Sequence, residues 1–491
     1  MLVRPESPGF RGGLPPDELP GSSLLPPFAV PPLPRHLVFP LHQSRGILLA
    51  PRITSGRSVL KGQVIADHPD HPPLHASSSG LAEISPDGSC IIIRTDGRDI
   101  PVITASPGRQ DSLTRENLLE RIWQAGITGL GGAGYPSASK LLSPAIHTLI
   151  LNGAECEPLA SCDQTLLQRF PHRVLAGARQ LCQTLGFKRC LLAIEADKTE
   201  VAQILQANLI NGQYDPVRLV RIPVRYPTGS EKQLIQVLTG QEVPHGKKTQ
   251  DIGIVCLNVA TVAALHDVLT WHQPLISRLV TVTGSGIKKP HNLWVRTGTP
   301  LSNLIDYCGG YTQTGVRLVT GGSMMGQLLE NDQVPVSKSI YCLWVAGAEE
   351  WVEKQPEQPC IRCAACVEVC PVGLLPQELY RYTQSGHREH SMGLHLDACI
   401  TCGCCDAVCP SHIPLAQSFR AAQSRQTEWV REQARAHHAK ARYEARLARK
   451  AREEQERIEH ARRKKENLEK NRDDEIRNTL NRLKVRREPG R

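Results

Sequence analysis

Two runs of cysteines near the end of the chain constrain it more than any other feature. The first reads Cys360-Ile-Arg-Cys363-Ala-Ala-Cys366-Val-Glu-Val-Cys370-Pro371 and the second Cys399-Ile-Thr-Cys402-Gly-Cys404-Cys405-Asp-Ala-Val-Cys409-Pro410. Both are spaced C-x2-C-x2-C-x3-C-P, which suits thiolates around a [4Fe–4S] cube. Cysteines on one tight loop reach three irons of a cube, and the last cysteine of the run ligates the neighbouring cube. The expected ligand sets are Cys360, Cys363 and Cys366 with Cys409, and Cys399, Cys402 and Cys405 with Cys370. The proline closing each run ends the loop and removes a backbone donor. A four-cysteine zinc site would explain one C-x2-C pair, but it explains two identical runs badly. Cys404 sits one position out of phase and reads as a packing residue. Two such clusters imply one-electron transfer and leave open where the electrons enter.

The chain is 491 residues long, room for roughly three or four domains. Aromatic residues are only 4% of it, so several modest cores are expected rather than one large one. Outside the runs the cysteines stand singly, at Cys90, Cys156, Cys162, Cys182, Cys190, Cys256, Cys308 and Cys342. Scatter without spacing argues against a disulfide framework and for a reducing compartment. No stretch approaches the ~18 consecutive apolar residues of a spanning helix, and the N-terminus lacks the pattern of a signal peptide. A soluble or peripheral chain is expected. The net charge of +10 suggests nucleic acid until it is located. From Ala421 onward there are 22 Lys and Arg against 13 Asp and Glu, which leaves 36 against 35 elsewhere. The basicity belongs to a tail and not to a folded nucleic-acid face.

Taken in order, residues 1–35 are rich in Pro and Gly and read as an extended arm. From 36 to 110, short β-prone pieces alternate with turn signals such as Ser55-Gly56 and Ser79-Gly80. This segment resembles the barrel-sandwich of biotinyl and lipoyl carrier domains in fold only, because no lysine sits at a modifiable hairpin tip; Lys61 reads as a turn residue. Residues 114–127 have helical periodicity with Thr114 as N-cap. Then comes Gly129-Leu-Gly131-Gly132-Ala-Gly134-Tyr135-Pro136-Ser-Ala-Ser-Lys140. A helix precedes it, so the dinucleotide fingerprint fails, and no Gly-Lys-Ser/Thr follows to make a P-loop. Glycines still let backbone N–H groups approach a phosphate, and Lys140 can add charge; a tight packing turn is the plainer alternative. The strand 147–152 ends in Asn152-Gly-Ala-Glu155-Cys-Glu157-Pro158, a ligand-binding position in an α/β sheet. Helices and strands alternate to about 270, giving a βαβ-type domain over 111–270. Residues 271–345 turn back to β, and Met324-Met325 reads as core or interface filler. His387, His390 and His395 read as surface residues. The 421–491 tail has helix-forming composition but apolar residues too sparse for a coiled-coil seam, so a solvated, partly disordered helix is expected. A basic arm against anionic lipid or an acidic partner is the sharper alternative.

The glycine loop with Asn152–Pro158 resembles the flavin-binding, NADH-oxidising subunit of complex I and related diaphorases; the N-terminal barrel, the Tyr226-Pro-Thr-Gly229 turn and the twin cysteine runs complete a longer pattern. In their order, over about residues 8–420, they are similar to the C component of the Rnf (Rsx) ion-translocating electron-transport complexes. The resemblance implies a multidomain α/β and β fold with an α-helical dicluster ferredoxin domain over 346–420. It also implies an N-terminal barrel-sandwich, an FMN-binding α/β domain, a soluble-ligand-binding β-grasp module over 271–345 and a basic helical tail. FMN would be cradled by Gly129, Gly131, Gly132 and Gly134, with Lys140 and Asn152 nearby and Glu231, Asn258 and Thr261 lining the flavin side. NADH would stack on Tyr135, with Glu155, Glu157 and Tyr226 around it; Tyr135, Glu155 and Glu157 are the expected catalytic residues. In the sequence Ala154 stands where diaphorases usually carry an acid, and Leu14 where a His often follows Gly12-Gly13.

The function implied is an electron-input subunit passing electrons from NADH through FMN and two [4Fe–4S] clusters to membrane subunits, coupled to cation translocation. Its partners would be integral-membrane and flavoprotein subunits of the same complex and a ferredoxin-type redox protein, with no nucleic acid. Its place would be the cytoplasmic face of a bacterial inner membrane. A ferredoxin-like scaffold without flavin, and a diaphorase subunit of a soluble hydrogenase, remain alternatives.

Overall fold

The structure, a computed structural model, describes residues 2–3, 5, 9–16, 25–43, 46–103, 113–351 and 355–485. Parts of the expected N-terminal arm, the 104–112 join and the last residues of the tail lie outside the described residues.

The centre of the molecule is a parallel sheet in the spatial order Leu2–Val3, Val217–Ile222, Arg189–Glu195, Thr148–Asn152, Ile254–Asn258. Its strands are near-continuous apolar runs, such as Thr-Leu-Ile-Leu and Cys-Leu-Leu-Ala-Ile, because both faces are covered. One face packs against helices Arg115–Gln124, Cys162–Arg169, Pro171–Leu185, Thr199–Asn211 and Val259–Trp271. The other is covered by Glu231–Thr239 and by Phe10 of the N-terminal arm. Thr114 caps the Arg115–Gln124 helix by accepting from the Asn117 N–H at 3.3 Å. Between the strands Thr148–Asn152 and Arg189–Glu195 the chain forms two helices, Cys162–Arg169 and Pro171–Leu185. They break at Phe170 because Pro171 cannot supply the backbone donor a continuous helix needs there. The strand order reverses between Thr148–Asn152 and Ile254–Asn258, where Asn152 and Asn258 are register partners at the C-terminal ends. In an open α/β sheet that reversal point is the place for a ligand.

Two β modules flank the sheet. Among the described residues, 36–95 form three small sheets, one containing His36–Pro40, Cys90–Thr95, Gly80–Ile84 and Arg57–Val59, the second Ala50–Pro51, Val64–His68 and His71–His75, and the third the pair His42–Gln43 and Ile47–Leu48. Their core is Leu37, Phe39, Leu41, Ile65, Ile91 and Ile93. Lys61 pairs with Asp99 at 2.6 Å. The second module pairs Ser277–Thr283 with Cys342–Ala346 in parallel and with His291–Arg296 as a hairpin, and it adds Phe28–Ala29 of the arm as an edge strand. The two modules and the central sheet meet at Lys338. This lysine is buried and donates to the carbonyls of Gly126 at 2.7 Å and Pro73 at 3.2 Å, and burial brings its pKa down to about 7.

Residues 420–491 form a unit of their own, whose described part continues the helix Leu415–Val485. It is exposed and carries i,i+4 ion pairs such as Arg449–Glu453 and Arg462–Glu466. Such pairs support a helix that buries little.

Asn292 bolts the hairpin module to the flank of the central sheet. It is fully buried, its amide lies 2.8 Å from Thr165 Oγ1 and 3.0 Å from Ser161 Oγ, and its carbonyl oxygen accepts from Thr281 Oγ1 at 2.7 Å. Asn292→Leu strands these hydroxyls in a dry interface and is expected to cost about 2–4 kcal/mol. A fall in the thermal midpoint, with cluster absorbance retained at room temperature, checks it.

Candidate functional site

The glycine loop is held at its neck and free at its crown. Thr128 bridges Pro136, and the Gly129 N–H donates to the Tyr135 carbonyl at 2.8 Å. Behind the loop, the Leu130 N–H donates to Thr261 Oγ1 at 2.9 Å, and buried Arg278 donates to the Leu130 carbonyl at 3.0 Å. At the crown glycine is favoured. A Cβ on Gly131 would come 3.3 Å from the Asn258 side chain, and Gly132, at φ +95°, would press one 3.2 Å from the Tyr341 ring. The loop therefore lies close over Asn258 at the reversal point of the sheet, with its backbone available to an anion.

Around this point the structure gathers Asn152, Asn258, Thr261, Lys140 and Glu231. Lys140 Nζ donates to Glu231 Oε1 at 2.9 Å and to the Cys256 carbonyl at 3.2 Å. Asn258 caps the Val259–Trp271 helix, and its amide donates to Asp163 Oδ2 at 2.5 Å. Asn152 donates to the Gly229 carbonyl at 2.8 Å, tying the Tyr226–Gly229 turn to the strand end. Tyr135 is half-buried beside Gly134.

The expected carboxylates do not converge. Glu155 turns to the first turn of Cys162–Arg169 and accepts from the N–H groups of Asp163 at 3.1 Å and Gln164 at 3.0 Å. It thereby does the capping that Ser161 does not perform. Glu157 turns the other way and accepts from the N–H groups of Met324 at 2.6 Å and Met325 at 3.3 Å. Tyr226 is 1% exposed, and its hydroxyl donates to the Cys402 carbonyl at 2.7 Å. It faces the second cysteine run rather than an open cleft. Leu14 packs with Tyr226, Cys402 and Cys404 and bridges Tyr226 through the backbone, so an apolar side chain suits this position.

The cysteines fall into two cavities. Cys370, Cys399, Cys402 and Cys405 line one, together with Cys404. Cys360, Cys363, Cys366 and Cys409 line the other. Each holds three cysteines of one run and the last of the other, a donor set that fits a [4Fe–4S] cube. The first cavity abuts the central domain through Tyr226, whereas Cys360 and Cys363 of the second are exposed.

Family models match four segments: the RnfC barrel sandwich hybrid domain over 8–98, the Nuo51 FMN-binding domain over 122–267, the SLBB domain over 279–328 and a 4Fe-4S dicluster domain over 359–413. The chain is 41% identical over 462 residues to the C component of the ion-translocating oxidoreductase complex of Serratia proteamaculans (strain 568), covering 90% of this chain and 65% of that one. It is 41% identical over 460 residues to the component of the same name from Yersinia pestis bv. Antiqua (strain Antiqua), covering 90% and 73%. The chain thus spans between 65% and 73% of the length of these two relatives.

The chain belongs to the RnfC family, the C component of ion-translocating oxidoreductase complexes.

An NAD+-reducing [NiFe]-hydrogenase in the H2-reduced state is 19% identical with a TM-score of 0.40, over 58% of this chain and 53% of that one, a likeness too slight to carry an argument. As a member of the RnfC family the chain has an FMN-binding domain and a domain for two [4Fe–4S] clusters. The close loop over Asn258 fits a flavin phosphate, and the cavities fit the clusters.

Sequence reasoning missed Asp163, Glu195, Arg278 and Tyr341. Only Asp163 left a trace, as an acid at the start of a helix after the key strand; burial of the others comes from tertiary packing. Burial pushes up the carboxyls of Glu155 and Asp163, each further raised or relieved by its neighbours, and lifts Glu195 and Glu157 to about 7. Glu195 is 3% exposed, and its Oε2 has no hydrogen-bond partner. A carboxyl with a raised folded pKa holds its proton where the unfolded chain has lost it. Its stability contribution is full below about pH 4 and is lost as pH rises through its folded value. The flavin-depleted chain is expected to lose thermal stability from pH 5 to 8, and Glu195→Gln to lose less; equal falls in both would contradict the assignment.

Proposed function

We propose that this chain is the peripheral electron-input subunit of a membrane-bound complex that couples NADH and ferredoxin electron exchange to cation translocation. When bound, FMN supplies conversion of a hydride from NADH into single electrons, and the two clusters supply their relay to membrane subunits. The observation that carries this reading is the seam at Tyr226, which seats one cluster cavity directly against the flavin domain.

The residues divide their work accordingly. Gly131 and Gly132, at the crown of the loop, present backbone N–H groups to the flavin phosphate, Gly129 and Gly134 close the loop through their own N–H bonds, and Lys140, oriented by Glu231, supplies positive charge. Asn152, Asn258 and Thr261 fix the floor. Tyr135, at the lip of the loop, is the surface on which a nicotinamide would stack. Glu155 and Tyr226 act as positioning residues behind the site, because their polar atoms are engaged by the protein itself; Glu157 is anchored through Oε1 alone, and its buried Oε2 has no hydrogen-bond partner. The cavity of Cys360, Cys363, Cys366 and Cys409 faces outward and suits exchange with integral-membrane, flavoprotein or ferredoxin-type partners. Among the described residues no helix is long and apolar enough to cross a membrane. In this reading cation movement, at the cytoplasmic face of an inner membrane, belongs to partner subunits.

Anaerobic mixing of the holo chain with NADH is expected to bleach its visible spectrum; clusters without flavin and no bleaching would overturn the reading. Lys140→Met removes a charged hydrogen bond to the phosphate and is expected to weaken FMN retention roughly tenfold to a hundredfold, with cluster absorbance unchanged.

A further inference from the structure

Away from the flavin and cluster sites, one set of metal-ligating side chains stands together. His245 lies in the Val-Pro-His-Gly turn that follows helix Glu231–Thr239, whereas His395 and Asp397 lie between the two cysteine runs. One ligand atom from each lies within 4.8 Å of the others, and all three residues are exposed. His245 Nε2 is 3.2 Å from Asp397 Oδ2 and 3.3 Å from Oδ1. The His245 and His395 rings are 4.3 Å apart between centroids, inclined at 56°. Among the described residues no other three His, Cys, Asp or Glu ligand atoms come so close.

An ion pair accounts for His245 and Asp397 only. It leaves out the second imidazole, whose ring stands against the first. A cation shared by both rings and the carboxylate accounts for all three side chains standing together. The donor set selects its class. Two imidazoles and one carboxylate suit zinc and its d-block neighbours; calcium and magnesium prefer all-oxygen shells, and thiolates are absent from the set. At metal–ligand distances of about 2.0–2.2 Å, tetrahedral ligand atoms stand about 3.4 Å apart. The histidine–aspartate pair is already there, and the widest gap needs only a modest turn of exposed side chains.

We propose that His245, His395 and Asp397 bind a divalent d-block cation of the zinc type, with water completing an open tetrahedron. The ion staples the turn at His245, part of the flavin domain, to the segment that enters the second cysteine run. Asp397 sits in the short turn Leu396–Ala398, and Cys399 follows immediately. The staple therefore holds the cluster module against the flavin domain at a second point, remote from Tyr226.

The test uses the full holo chain, freed of loosely held metal by a chelator and titrated anaerobically with Zn2+. Bound zinc is measured by elemental analysis, and cluster integrity by visible absorbance. Wild type is expected to take up about one Zn2+ at micromolar free metal, with a rise in thermal midpoint. His395→Ala and the near-isosteric Asp397→Asn are expected to weaken that uptake roughly tenfold or more and to abolish the rise. The exposed pair His387 and His390, with rings 5.7 Å apart, is the control, and its double alanine variant should bind as wild type does. No uptake by wild type at that concentration overturns the proposal. So does uptake that survives both His395→Ala and Asp397→Asn, or uptake lost equally in the His387/His390 control.

Discussion

A buried tyrosine hydroxyl, donated by Tyr226 to the Cys402 carbonyl, joins the half of the molecule that holds a flavin domain to the half that holds clusters. The bond is dry, so neither partner can exchange it for water without separating the modules. It also depends on much else. The Tyr226–Gly229 turn is held by Asn152 and by Cys156, whose sulfur accepts from the Gly229 N–H at 3.2 Å. The N-terminal arm closes over it, with Leu14 pairing to Tyr226 and the Gly13 N–H donating to the Val369 carbonyl at 2.9 Å. Gly12 must be glycine-like there, because a Cβ would fall 2.7 Å from the Cys370 carbonyl oxygen. An arm that composition alone marked as connective is thus part of the seam.

From that seam the two sites follow. On one side the sheet reverses its strand order at Asn152 and Asn258, which opens a crevice that the glycine loop roofs. On the other the cysteine runs cross, so that each cavity draws on both. Crossing makes the cluster module a single unit and puts one cavity inward and one outward. The proposed electron path needs that polarity: an inner cluster next to the flavin domain and an outer one within reach of partners. The order of the sites is then a property of packing, and the chemistry stays with the cofactors.

How far the sequence could be read depended on whether a property was local. The cysteine spacing, the helix after Thr114 and the apolar strand at Thr148–Asn152 are local, and they read directly. The glycine loop was legible as a close approach, though not what it approaches, since Asn258 and Tyr341 come from distant parts of the chain. Glu155 and Glu157 look paired at i and i+2, yet one ends on a helix start and the other on Met324, partners that only the tertiary fold brings to them. The family resemblance alone puts Tyr226 beside NADH; its burial is set by a module that begins more than a hundred residues later. Arg278 and Glu195 carry charge in the sequence and are buried in the structure, which no local pattern reveals.

The central claim is that the inner cavity, built by Cys370, Cys399, Cys402 and Cys405, lies between the flavin domain and the outer one. Rapid-freeze electron paramagnetic resonance after anaerobic mixing with NADH tests it most directly, applied to Cys370→Ala and Cys409→Ala in parallel. The account predicts that Cys409→Ala leaves reduction of the inner cluster at its wild-type rate. It also predicts that Cys370→Ala, with the outer cluster assembled, slows reduction of that outer cluster severely. An outer cluster reduced at the wild-type rate in Cys370→Ala would contradict the account.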